Sequence, residues 1–207
     1  MAAKIRVYFE GNPGLKRGFG TLLTSLREKA ARAGIGWELV AGGSRNEVLK
    51  DFSTALTKHR GDTLVMLVDA EGPVQPVHRD RPWEHLASLH DAALKRPKGS
   101  KGEHAHLMVQ IMESWFVADR AALQTYFGQG FQAGCLPQTS NLEDAPKDTV
   151  LSGLSRAVAG TKNGRYAKSS DASELLARID PTKVRAASKW CDRLFQTIEH
   201  AIEAHTQ

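Results

Sequence analysis

The stretch Thr63 to Pro73, TLVMLVDAEGP, limits what this chain can fold into more than any other segment. Leu64 to Val68 is an unbroken apolar run, too short for a helix, that stops abruptly at Asp69-Ala70-Glu71-Gly72. Such a run reads as a strand buried on both faces, the kind found inside a parallel sheet covered by helices. Residues two apart on a strand point the same way, so extended geometry carried past the strand end places Asp69 and Glu71 side by side. In open α/β sheets ligands sit at that carboxyl end. Two carboxylates in a partly desolvated crevice repel, and a shared proton or a divalent cation relieves the repulsion. The cation is the reading adopted.

The neighbouring segments complete a β-α-β-α-β alternation with the most apolar strand third, which predicts a mainly parallel sheet flanked by helices. Ile5 to Phe9 is a β-branched, apolar strand that ends in Glu10-Gly11, so Glu10 repeats the position of Asp69. Phe19 to Ala33 carries Leu22, Leu23 and Leu26 at helical spacing. The intervening Gly11 to Thr21 lacks the Gly-Lys-Ser/Thr of a Walker A loop, and Gly18-Phe19-Gly20 lacks the third glycine of a dinucleotide fingerprint. Trp37 to Ala41 reads as a short second strand closed by Gly42-Gly43-Ser44-Arg45, and Asn46 to His59 as a helix with Val48, Leu49, Phe52 and Leu56 on one stripe.

After Gly72 comes a proline-rich loop, PVQPVHRDRP, then a helix from about Trp83 to Leu94 and the basic turn RPKGSKG, read as a solvated charge run. A fourth strand is expected over His106 to Met112, where period-two counting puts Leu107, Val109, Ile111 and Glu113 on one face. Glu113 is then a third acid at a strand end, free to hold a cation or to pair with Arg45. Trp115 and Phe116 read as core, and Asp119 as the cap of a short helix ending near Tyr126.

From Gly128 the pattern turns loop-like and then helical. Helices are expected over Asp148 to Ala159, Ser173 to Ile179 and Pro181 to about Ala204, with a polar link at Thr161 to Ser169 holding Tyr166 and Lys168. Tyr166 reads as a packing residue beside Lys168. The expected organisation is an α/β domain over 1–127 and a mainly helical extension over 128–207 packed on it.

Composition narrows the function classes. The 207 residues are 41% hydrophobic and 25% charged, an ordinary globular balance. No apolar run approaches the roughly 18 residues of a membrane span, and the amino-terminal segment runs straight into a strand pattern, so a cytoplasmic protein is expected. Cys135 and Cys191 are isolated, which points to neither zinc nor a disulfide framework. His104 and His106 are expected on one strand face and His85 and His90 on one helix, but no histidine spacing resembles a ligand motif, and all eight are read as non-ligands. A net charge of +5 gives mild support to an anionic partner.

Glu10-Gly11 after a first strand and Asp69-Ala70-Glu71-Gly72 after a third resemble the Toprim domain of topoisomerases, primases and overcoming-lysogenization-defect (OLD) nucleases. A fuller resemblance is to small stand-alone bacterial Toprim-like proteins, through Gly43-Ser44-Arg45, LVDAEGPV, LMVQIMESWFVAD, the Lys147 region and Tyr166-Ala167-Lys168. It spans nearly the whole chain and implies a Toprim-like, Rossmann-like parallel sheet with a Mg²⁺ (or Mn²⁺) site at the strand ends. Glu10, Asp69 and Glu71 are then catalytic and metal-binding, with Glu113 as a further metal ligand. Lys168 is the candidate for stabilising charge on the phosphoryl group, and Arg45 and Lys147 for holding substrate. This chain has Asp69-x-Glu71 where the general pattern has Asp-x-Asp, which lengthens the second ligand by one methylene. No tyrosine is identifiable as a strand-passing nucleophile, which argues against topoisomerase chemistry.

The function expected is metal-dependent phosphodiester hydrolysis, a nuclease that meets nucleic acid through its phosphate backbone. The resemblance implies an effector of a two-component anti-phage defence or DNA-processing system with an ATPase partner. The alternative is a non-catalytic nucleotide- or metal-binding regulatory subunit of an ATPase complex. A nucleotidyl transferase is a third class, but no stretch of the sequence suggests a base pocket.

Overall fold

Four parallel strands lie in the order β2-β1-β3-β4 in a computed structural model that describes residues 3–89 and 94–206. They are β1 (Lys4–Phe9), β2 (Gly36–Ala41), β3 (Thr63–Asp69) and β4 (Ala105–Met108). The helices are α1 (Leu15–Leu22), α2 (Thr24–Arg32), α3 (Arg45–Lys58), α4 (Pro82–Ser88), α5 (Glu113–Val117), α6 (Arg120–Phe127), α7 (Lys147–Val158), α8 (Lys168–Leu176), α9 (Pro181–Ala187) and α10 (Lys189–Ala204).

Side-chain alternation along the strands feeds a core on each face of the sheet. Ile5, Val7, Phe9, Val65 and Leu67 join Phe19, Leu22 and Leu26 on one side, while Tyr8, Leu64, Met66 and Val68 join Val48 and Phe52 on the other. β3 is buried from Leu64 onward, as its unbroken apolar run requires. The first core continues into the carboxyl-terminal half through Leu154, Leu175, Phe195 and Ile198. Helix α8 approaches α1 so closely that a Cβ at Gly18 would stand 2.6 Å from the carbonyl oxygen of Ser173. Among the described residues no helix is long and apolar enough to cross a membrane.

Several expectations are corrected. The helix expected over Phe19 to Ala33 starts at Leu15 and is interrupted at Leu23, where Thr24 Oγ1 donates back to the carbonyl of Gly20. Such back-bonding bends helices. The fourth strand ends at Met108 rather than Met112, because β3, the strand it pairs with, ends opposite it at Asp69. The period-two row is therefore lost: Leu107 and Val109 pack in one core and Ile111 in the other, and Glu113 opens α5 instead of closing a strand.

The helix expected over Ser173 to Ile179 begins five residues earlier, because buried Asp171 accepts a hydrogen bond from the amide of Ala167 at 2.7 Å. The final helix is divided at Ser188, whose hydroxyl caps α10 at Cys191 and donates to Glu143. His104 lies in a short turn over 102–104, so it does not share a strand face with His106. The helix of residues 82–88 is shorter than expected; His90 and the stretch 90–93 lie outside the described residues.

Candidate metal centre

β1 and β3 are adjacent and parallel, so Glu10 and Asp69 leave the sheet at the same edge. The amide of Asp69 donates to Glu10 Oε2 at 3.1 Å, and the amide of Met112 donates to Asp69 Oδ1 at 2.8 Å. The chain beyond Asp69 turns rather than extends. Glu71 takes φ +60°, a strained value for a residue with a side chain, and its amide donates to the carbonyl of Gln110 at 2.8 Å. This corrects the simple extended picture, yet the turn still returns the carboxylate: Glu10, Asp69 and Glu71 each offer an oxygen within 4.8 Å of the others.

Burial of these acids without an opposite charge in their midst is costly. Asp69 is 6% exposed, and its burial, reinforced by the charge of Glu10, pushes its carboxyl up to about 8. Burial likewise raises Glu10, against the hydrogen bond from Asp69 and the charge of Arg45.

A basic collar surrounds the acids. Lys168 Nζ is 3.2 Å from Glu113 Oε1 and 3.9 Å from Asp69 Oδ2. Lys147 Nζ is 3.1 Å from Glu71 Oε2, and Arg45 reaches the carbonyl of Asp69 at 3.3 Å and Glu71 Oε1 at 4.0 Å. Burial lowers the Lys168 ammonium, but Glu113 and Asp69 outweigh it and hold the group above its usual range. Arg45, Lys147 and Lys168 are each the first residue of a helix, α3, α7 and α8. A cation there runs against the helix dipole, and the carboxylates opposite compensate it.

All seven residues singled out from the sequence therefore meet at one edge of the sheet. Glu113 stands slightly apart, joined to the triad through Lys168, and its partner is not Arg45. Three further groups take part: Tyr166, expected only to pack, and two that the sequence did not single out. Tyr166 Oη donates to Glu113 Oε1 at 3.1 Å, so it positions a carboxylate as well as packing beside Phe116. The Gln110 side chain accepts from the amide of Lys147 at 3.1 Å, and the amide of Met112 holds Asp69. A polar Gln110 inside an otherwise apolar row was the available signal for one of them; a backbone amide leaves none.

The donor set suits a hard divalent cation: three carboxylates, with no cysteine or histidine among them. Two observations fit a cation there: burial among carboxylates raises Asp69, and Glu113 Oε2, next to the triad, is buried without a hydrogen-bond partner. Fold and site together define an α/β protein whose parallel sheet presents a carboxylate cluster, ringed by basic helix ends, at its carboxyl edge.

The chain belongs to the family described as a domain of unknown function (DUF4276), whose profile matches residues 15–199. No curated protein matches the sequence. Among solved structures, the C-terminal region of the Burkholderia pseudomallei OLD protein is similar in fold, with a TM-score of 0.51 at 13% identity, over 98% of this chain and 99% of that one.

Proposed function

We propose that this protein is a metal-dependent nuclease that hydrolyses phosphodiester bonds at the carboxyl edge of a Toprim-like sheet. The observation that carries this reading is the convergence of Glu10, Asp69 and Glu71 within 4.8 Å. The fold likeness to an OLD protein region agrees with it. A Mg²⁺ or Mn²⁺ ion held by these three acids would supply Lewis-acid polarisation of a phosphoryl oxygen and acidification of a bound water.

The protein's own groups do the rest. Arg45 and Lys147, now bound to Glu71, swing their charge to phosphate oxygens on either side of the attacked bond. Lys168, half exposed and braced by Glu113, meets the negative charge that develops on the phosphoryl group. Tyr166 keeps Glu113 oriented toward that lysine. Contact through phosphates makes binding salt-sensitive. The setting we attach to this activity is an effector working beside an ATPase in phage defence or DNA processing.

The test is cleavage of plasmid and single-stranded DNA with Mg²⁺ or Mn²⁺ by the wild type, Asp69→Ala and Glu10→Ala. Metal-dependent cutting that disappears in both variants is the expected result. Cutting that survives both removes the site assignment, and a wild type that never cuts, even with a genetically neighbouring ATPase added, favours the regulatory-subunit reading.

A further inference from the structure

We infer that the cavity lined by the continuations of the Glu71 and Lys147 segments receives one unpaired nucleotide, so that the substrate is single-stranded next to the attacked phosphate; this deepens, and rests on, the nuclease reading. The cavity holds about 920 Å³, at the upper end of small-molecule pockets. One side is formed by residues between Pro73 and Asp80 and another by residues between Asn141 and Asp144. Each side continues a segment that carries part of the metal centre, since Glu71 precedes Pro73 by two residues and Lys147 follows Asp144 by three. The 3.1 Å pair between Lys147 and Glu71 ties the two segments together. A strand with its phosphate at Glu71 and Lys147 would have its next nucleoside beside the two segments that continue into the cavity.

The lining favours a base over a phosphate, an acidic peptide or an acyl chain. Val74, Val109 and Trp190 make an apolar wall, with Val109 and Trp190 almost wholly buried. Asn141 Oδ1 accepts from the amide of Glu143 and Gln196 Nε2 donates to Asp192, which leaves the Asn141 amide nitrogen, the Gln196 carbonyl oxygen and the Asp144 carboxylate to read a base edge. Three carboxylates, on Asp80, Glu143 and Asp144, balance three cations, on Arg79, Lys189 and Arg193, so the cavity has no net charge with which to draw in an anion. The polar lining is equally unsuited to an acyl chain.

Arg193 is held rigid within this wall. It lies 5.1 Å over the Trp190 ring and donates to the carbonyls of Ala105 and Gly102. A base can reach such a site only after leaving its stack, which is free in a single strand and costly in a duplex.

The experiment is fluorescence anisotropy of a short labelled oligonucleotide in Ca²⁺, single-stranded or duplex, with one abasic position moved along the single strand. Wild-type protein is expected to bind the single strand at least about tenfold tighter than the duplex and to lose about tenfold when one particular register is abasic. An Asn141→Ala/Gln196→Ala double variant, checked for an unchanged melting temperature, should lose that register dependence. Equal binding of single strand and duplex, or indifference to every abasic position, overturns the pocket and leaves Asp69-dependent cleavage to judge the nuclease. Register-dependent binding without any cleavage upholds the pocket and overturns the nuclease. The abasic scan needs no variant, so a misfolded double variant leaves the outcome decided.

Discussion

The ammonium of Lys168 lies 3.2 Å from Glu113 Oε1 and so joins the first residue of α8 to the first residue of α5, 55 positions earlier in the chain. The link places a cation between a carboxylate that is 2% exposed and the triad beyond it. Replacing Lys168 by Met is expected to lower the cleavage rate by about 10²- to 10³-fold, the usual cost of deleting a charge-stabilising donor. Lys168→Arg should retain part of the rate. Single-turnover cleavage of one labelled substrate measures both, and a Met variant as fast as the wild type would remove Lys168 from the mechanism.

The raised Asp69 carboxyl has a consequence for stability with metal chelated. In the unfolded chain this group ionises near its ordinary value of 3.8, whereas in the fold it keeps its proton to about 8. Between those values the folded state binds more protons than the unfolded one, so stability falls as pH rises. The melting temperature in chelator should decline from pH 5 to pH 8, and Asp69→Asn should flatten the decline.

Metal binding competes with the same proton. Below pH 8 the cation must displace it, so apparent affinity for Mg²⁺ or Mn²⁺ should climb with pH and binding should release about one proton. Calorimetric titration in two buffers of different ionisation enthalpy reads that release directly. No release at pH 6 would mean that Asp69 is already ionised in the metal-free protein.

Tyr166 acts at one remove. Tyr166→Phe deletes the 3.1 Å hydrogen bond to buried Glu113 and should cost about 1–3 kcal/mol of unfolding free energy. Its effect on cleavage should be smaller than that of Lys168→Met. Chemical denaturation alongside the cleavage assay separates the two effects.

Arg45 is aimed from a capped helix. Ser44 accepts from the amide of Glu47, and Glu47 accepts from the amide of Ser44 at 2.8 Å, a reciprocal pair that fixes the start of α3. Ser44→Ala should cost about 1 kcal/mol in denaturant unfolding. Substrate affinity should weaken as well, because Arg45 follows the cap directly.

The strand run of β3, the acids after β1 and β3 and the alternation of strands with helices were legible in the sequence, because each depends on spacing within a few residues. Helix boundaries were less so. Asp171 and Ser188 set them by accepting from the amides of Ala167 and Cys191, and each is held in place by a residue distant in sequence, Tyr126 and Glu143. The end of β4 was likewise decided by where its neighbour stops, a matter of pairing that periodicity does not encode.

What the sequence by itself determined is a parallel sheet with Glu10 and Asp69 on one edge, since adjacent parallel strands that end in acids deliver them to the same side. The tertiary structure alone decided that Glu71, turned out of the strand by its positive φ, still rejoins them, and that Lys147, Tyr166 and Lys168 close the site. These residues lie 76 positions from Glu71 in one case and 53 from Glu113 in another. Only the packing of α7 and α8 against α5 brings them within hydrogen-bonding reach, and burial of the closed cluster is what raises Asp69.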